Sequence, residues 1–274
     1  MTVDAKLQRR VQRYGWDKAA SAYERYWQDQ LAPAQERLVH LAALQRDERV
    51  LDVACGTGLV TFRVADLVGP PGRVLATDIS EVMVSRLSEE AARRKLPHVS
   101  AERMDAETLD IADASFDVAL CALGLMYLPD PVAALREMLR ALRPGGRALA
   151  AVWGARHNCG WAEIFPIVDA RVQSDVCPMF FQLGAADRLE RVFRDAGFDG
   201  VTTERMATVL HYESAADACG AAFEGGPVAL AYSRFDPATR EAAHAEYLAS
   251  IGPWQSGAGY DVPGEFVLAA GTRP

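Results

Sequence analysis

The chain has 274 residues, half of them apolar, and a formal net charge of −8. That length suffices for one large α/β domain with a buried core, and the acidic balance argues against nucleic acid, whose binders carry a basic stripe. No apolar run approaches the roughly 18–20 residues of a membrane helix, and the opening Met1-Thr-Val-Asp-Ala-Lys-Leu-Gln-Arg-Arg10 has no apolar segment after its basic residues.

That start is unlike a secretory signal, so a cytoplasmic location is expected. The five cysteines, Cys55, Cys121, Cys159, Cys177 and Cys219, are scattered and form no C-x-x-C pair. They read as reduced thiols, neither a disulfide framework nor a metal site.

Taken in chain order, residues 1–47 read as helices carrying Trp16, Tyr23, Tyr26 and Trp27 at helical spacing. From there strands and helices alternate, the pattern of a parallel sheet with helices on both faces. Strands are expected at Arg49–Val53, Arg73–Asp78, Val99–Met104, Phe116–Cys121, Arg147–Trp153, Val201–Leu210 and Glu265–Ala270. Helices are expected at Leu59–Val68, Glu81–Lys95, Pro131–Leu142 and Ala186–Ala196. Asp130-Pro131 is an N-cap followed by proline at the first helical position, and Pro144-Gly145-Gly146 reads as a turn. The stretches 154–185 and 211–258 break the alternation and are aromatic-rich. Both are placed to fold over the carboxyl ends of the strands, where open α/β sheets bind ligands. No repeat or low-complexity linker calls for a second domain.

The segment Val50-Leu-Asp-Val-Ala-Cys-Gly-Thr-Gly58 joins the first strand to the first helix of the alternation. Gly56 and Gly58, having no Cβ, let backbone N–H groups approach a ligand at a helix start. Asp78 ends the next strand about 20 residues later, the spacing at which a carboxylate meets the ribose hydroxyls of an adenosine cofactor. A dinucleotide fingerprint would need a third small residue where Thr61 stands. Upstream, Ala54 extends the small-residue series the other way, giving Asp52-x-Ala54-x-Gly56-x-Gly58.

That series resembles the first motif, acid-x-G-x-G-x-G, of the class I S-adenosylmethionine (SAM) methyltransferases, with Ala54 at the first glycine. Later segments fall in the same order: Asp78-Ile79-Ser80, Met104-Asp105-Ala106, Phe116 to Cys121 with Gly124-Leu125, Leu128-Pro-Asp-Pro131, and Leu142-Arg-Pro-Gly-Gly146. Over residues 48–153, and again at Phe193–Phe198, the chain is similar to the small-molecule methyltransferases of ubiquinone and menaquinone biosynthesis. The resemblance implies a Rossmann-like, doubly wound, mostly parallel seven-stranded sheet with helices on both faces and an antiparallel last strand. It implies one SAM-binding domain over 1–274, with 1–47 a helical lid, 48–153 the cofactor core, and 154–185 and 211–258 covering a substrate.

It further implies cofactor contacts from Asp52, Ala54, Gly56, Thr57, Gly58, Ile79 and Ala122. Asp78 would hold the ribose, and Asp105 with Ala106 the adenine. Tyr23 would close over SAM, with simple core packing the competing reading. S-adenosylhomocysteine (SAH) would be the product.

Catalytic residues are not assigned at this level. His157 and His211 follow the fifth and sixth strands and are candidate bases, each with a surface role as the alternative. Tyr127 occupies the stretch after strand four, where many relatives place histidines, and it could orient or deprotonate an acceptor. The expected acceptor is a small hydrophobic or aromatic metabolite, with its C-, O- or N-atom and the oligomeric state left open. The rival readings are a nicotinamide-dependent oxidoreductase and a SAM-binding protein without a reaction.

Overall fold

The computed structural model describes residues 5–172 and 180–274; Cys177 lies outside them. Two helices, α1 (Ala5–Ala19) and α2 (Tyr23–Ala42), precede the sheet. The alternating unit follows as β1 (Arg49–Val53), α3 (Leu59–Val68), β2 (Arg73–Asp78), α4 (Glu81–Arg93), β3 (Val99–Arg103), β4 (Phe116–Ala122), α5 (Pro131–Ala141) and β5 (Leu142–Trp153). Beyond it lie α6 (Ile164–Asp169), α7 (Arg188–Ala196), β6 (Asp199–Tyr212), α8 (Ala215–Cys219), α9 (Ala229–Tyr232), α10 (Pro237–Ile251), β7 (Gln255–Ser256) and β8 (Gly259–Thr272).

The strand order is β3-β2-β1-β4-β5-β8-β6, with β7 paired to β8 alone. Strands β1 to β5 pair in parallel, and β8 runs antiparallel to both β5 and β6. This is the expected doubly wound sheet with an antiparallel last strand. The chain winds outward from β1 through α3 and α4, then returns to β4 and winds the other way through α5. Right-handed crossovers therefore put these helices on opposite faces. The reversal between β1 and β4 leaves a crevice at the strands' carboxyl ends, the site such sheets offer to ligands.

Local chemistry sets the element ends. The Ser80 side chain caps α4 by accepting from the Met83 N–H, and Asp130 caps α5 through the Ala133 N–H. Gly197 closes α7 in the left-handed region. In the sheet centre Val50, Leu51 and Val118 to Leu120 are buried, as strands covered on both faces require.

The differences from the sequence expectations are mostly longer pairings. Strand β5 begins at Leu142 because Leu142 pairs with Phe116 before a bulge, and Arg147 resumes the ladder against Val118. The Pro144-Gly145-Gly146 turn is thus held inside the strand. Strand β8 starts at Gly259 because Gln255 and Ser256 fold back on it as a hairpin, which adds an eighth, two-residue strand. Helix α4 stops at Arg93, before Lys95 turns to positive φ.

Candidate active site

The turn after β1 is held by its neighbours across the sheet. The Cys55 N–H donates to Thr77 O at 3.0 Å and the Gly58 N–H to Cys55 O at 3.1 Å. Gly58, at φ 99°, starts α3; a Cβ there would stand 2.7 Å from the Phe62 ring. The Gly56 N–H donates to Asp78 Oδ2 at 2.9 Å, and the Ser80 N–H to Oδ1 at 2.9 Å. Each carboxylate oxygen therefore carries one backbone bond and keeps acceptor capacity. Asp78 is only 8% exposed, and burial pushes its carboxyl up to about 6.

Asp52 lies deeper, 1% exposed, with its carboxyl pushed up by burial to about 7. Thr61 Oγ1 donates to Asp52 Oδ2 at 2.6 Å, so the residue standing at the third small position of a dinucleotide fingerprint serves this acid. Asp52 Oδ1 and Thr57 Oγ1 are buried without a hydrogen-bond partner. Ala54 adopts φ 56°, the left-handed conformation that glycine takes without cost. Its methyl group fits because the facing residue is Gly124: a Cβ there would fall 2.4 Å from Ala54 Cβ and 2.9 Å from Cys121 Sγ. The alanine at the first position of the motif is thus matched by a glycine beyond β4. Cys55 turns away and packs with Phe62, Ala76 and Leu87.

These loops floor a cleft at the carboxyl ends of the strands. Ala54, Gly56, Asp78, Ile79, Asp105, Ala106 and Ala122 line it, and Met83, Met104 and Leu123 add apolar wall. Tyr23 lines it from α2, with its ring 3.8 Å from where a Gly56 Cβ would stand. Asp52 at the end of β1, and Thr57 and Gly58 within the turn, do not line the cleft. Helix α1 supplies Arg9, Gln12 and Trp16, of which the sequence marked only Trp16, as one of the aromatics at helical spacing. Arg9 Nε stands 3.0 Å from Asp105 Oδ2, and its other arm pairs with Glu107. Ser80 Oγ donates to Asp17 Oδ1 at 2.6 Å, tying α1 to the start of α4.

A second, smaller cavity adjoins the first and shares Trp16, Tyr23, Leu123 and Tyr127 with it. Its other walls are largely aromatic: Trp27, Trp153, Trp161 and Phe180, with Gly225-Gly226-Pro227 at one side. The rings are interlocked, with Trp153–Trp161 centroids 4.9 Å apart, Tyr127–Phe180 5.3 Å and Trp16–Tyr127 5.1 Å. Among the described residues, no His, Asp, Glu, Lys or Arg lines this cavity.

Of the three candidate catalytic residues, only Tyr127 lies in the site. His157 sits exposed on the single turn Arg156–Asn158, lining neither cavity. His211 is 74% exposed and pairs its Nδ1 with Asp261 Oδ1 at 2.6 Å on the outer strand. The aromatics Trp27, Trp153 and Trp161 come together only through the tertiary fold.

The whole arrangement is that of a cofactor-binding α/β enzyme with a glycine turn clasping a strand-end acid. The chain belongs to the SAM-dependent methyltransferases. A family profile described as a methyltransferase domain matches residues 50–146. Over 132 residues the chain is 36% identical to the aklanonic acid methyltransferase of a Streptomyces species, covering 48% of this chain and 60% of that protein. Over 186 residues it is 31% identical to the ubiquinone/menaquinone biosynthesis C-methyltransferase of Ectopseudomonas mendocina, covering 61% of this chain and 72% of the relative. Its fold is like that of phosphoethanolamine N-methyltransferase 2 from Haemonchus contortus, solved in complex with SAM: TM-score 0.62, 16% identity, 94% of this chain and 57% of that one. The comparisons support SAM-dependent methyl transfer and lend nothing to the nicotinamide alternative.

Proposed function

We propose that this protein transfers a methyl group from SAM, held in the cleft at the strand ends, to a flat apolar small molecule seated in the aromatic cavity beside it. The observation that carries this reading is the shared wall of Trp16, Tyr23, Leu123 and Tyr127 between a cleft that carries Asp78 and Asp105 and a cavity with no charged residue among its described walls. On this reading the ribose hydroxyls donate to Asp78 and the adenine amino group to Asp105, while Ile79, Ala106 and Ala122 flank the adenosine. The turn 54–58 receives the amino-acid end, backed by Asp52 and Thr57, whose unpartnered buried oxygens offer acceptors behind it.

SAM supplies a methyl group on a sulfonium, a leaving group that needs no activation. The protein's task is then to hold two reactants in line and exclude water. The Tyr23 phenol is raised above its usual range by burial and by Asp78, so it stays protonated and donates or packs; it takes no proton. With no His, Asp, Glu or Lys among the described residues lining the aromatic cavity, the acceptor enters with its own ionised or readily ionised atom.

We read the chain as one unit in which 1–47 form a lid and 154–185 with 211–258 cover the acceptor. Arg9, Trp16 and Trp27 on one side and Trp161 and Gly225 on the other support that division. The four described cysteines are free and buried, which suits the reducing cytoplasm. None of the described helices is long and apolar enough to cross a membrane.

Calorimetry with SAM, SAH and NAD tests the cofactor half: heat is expected from the first two alone, and heat from NAD only overturns it. Incubation with isotopically labelled SAM and a panel of phenols, quinols and β-diketones tests transfer. Labelled product is expected, and SAH binding with no transfer to any member favours the non-catalytic reading.

A further inference from the structure

One side chain in the wall of the aromatic cavity carries a polar group without a partner. Trp161 is 4% exposed, and its indole Nε1 is buried without a hydrogen-bond partner. Its neighbour Trp27 shows the usual solution, donating Nε1–H to Ala221 O at 3.2 Å. Native folds leave few buried donors unpaired, because each forfeits its hydration for nothing in return. Nor can the ring swing round to find a partner. Its centroid lies 4.9 Å from that of Trp153, 5.5 Å from Phe181, 5.6 Å from Phe180 and 6.0 Å from Phe165. A ring packed this way keeps its N–H direction fixed, so the donor is pre-organised.

We infer that the Trp161 Nε1–H is the specificity contact for the methyl acceptor, donating to a carbonyl or phenolic oxygen that the acceptor carries into the aromatic cavity. This rests on the methyltransferase reading and narrows it: the acceptor is an aromatic or alicyclic ring bearing at least one hydrogen-bond-accepting oxygen, not a plain hydrocarbon or an amine. Trp161 is a positioning residue in this scheme. It forms no bond and moves no proton; it fixes which edge of the ring faces the cofactor cleft. A pocket built to pair a polar group discriminates against ligands lacking it more sharply than an apolar pocket does against added bulk.

The test compares 1-tetralone with tetralin, its carbonyl-free analogue, on the full chain saturated with SAH. In protein labelled with ¹⁵N at the tryptophan indoles, the Trp161 proton is identified by its through-space contacts with the Phe165 and Phe180 rings. It should move downfield with 1-tetralone and stay in place with tetralin. Trp161→Phe should lose about tenfold in 1-tetralone affinity while holding its tetralin and SAH affinities within about twofold. Equal indole shifts with both probes, an equal loss of both affinities, or exclusion of both probes from a chain that binds SAH overturns the inference alone. Absence of heat from SAH itself overturns the methyltransferase reading and this inference with it. The wild-type spectrum decides the matter if Trp161→Phe fails to fold.

Discussion

The cleft at the strand ends takes its shape from backbone, through turns at positive φ, N–H groups aimed at Asp78 and a glycine that makes room for Ala54. The aromatic cavity takes its shape from side chains, contributed by α2, the end of β5 and segments far apart in the chain. A backbone site tolerates almost no added atom, whereas a site of interlocked rings loses affinity by degrees. The two regions should therefore respond differently to equally small changes.

The largest effect is expected at Gly124, whose φ of −101° is open to any residue and whose constraint is thus purely steric. Gly124→Ala drives a methyl into Ala54 and Cys121 and should cost about 1–3 kcal/mol of stability, with loss of SAM binding. Adding Ala54→Gly should restore most of both. Denaturant melts of the two single variants and the double variant check this, and additive losses would break the comparison. Next is Asp78→Ala, which removes a charged acceptor and should weaken SAM by about 2–3 kcal/mol, or roughly 30- to 150-fold, as read by calorimetry.

Proton linkage gives the third test. Ribose bonds favour the charged form of Asp78, so binding below its raised value of about 6 must release a proton. SAM affinity should fall about tenfold per pH unit on going down from 6 and be flat above. Burial holds Asp52 near 7 as well. The ligand-free fold thus keeps protons that the unfolded chain gives up above about pH 4, and its stability should decline as pH rises toward 7. A melting profile in which stability rises over that interval would contradict the burial of these acids.

On the aromatic side, Tyr127→Phe should slow methyl transfer by less than about tenfold and leave SAM affinity alone, since the ring and its contacts with Trp16 and Phe180 persist. Least of all, His157→Ala and His211→Ala should keep turnover within about twofold, as exposed side chains that line neither cavity. A collapse of activity in either would mean that the base comes from outside the described walls.

The same division explains what the sequence discloses. Backbone sites announce themselves because glycine, proline and strand-end acids are chosen for local geometry; the turn 54–58 and the cap at Asp130 could be found from neighbours alone. Gly124 was visible as a letter, but its reason lies across the sheet in Ala54. Arg9 and Trp161 carry no local signal. An arginine on an amphipathic helix and a tryptophan in an aromatic-rich stretch look like surface and core, and only the docking of α1 and the stacking around Trp153 reveal more. The histidines drew attention for their chemistry at strand ends, yet the alternation of a strand sends every second side chain outward, and His211 follows that rule.

Strand β8 stands between β5 and β6 and, among the described residues, is the only partner β6 has in the sheet. On a ribosome, β1 to β5 can zip together as they emerge, but β6 must wait with open edges until Gly259–Thr272 has been made. The half of the sheet beyond β5 is consequently finished last and all at once, and a chain cut short before Gly259 would leave two unguarded edges exposed to self-association.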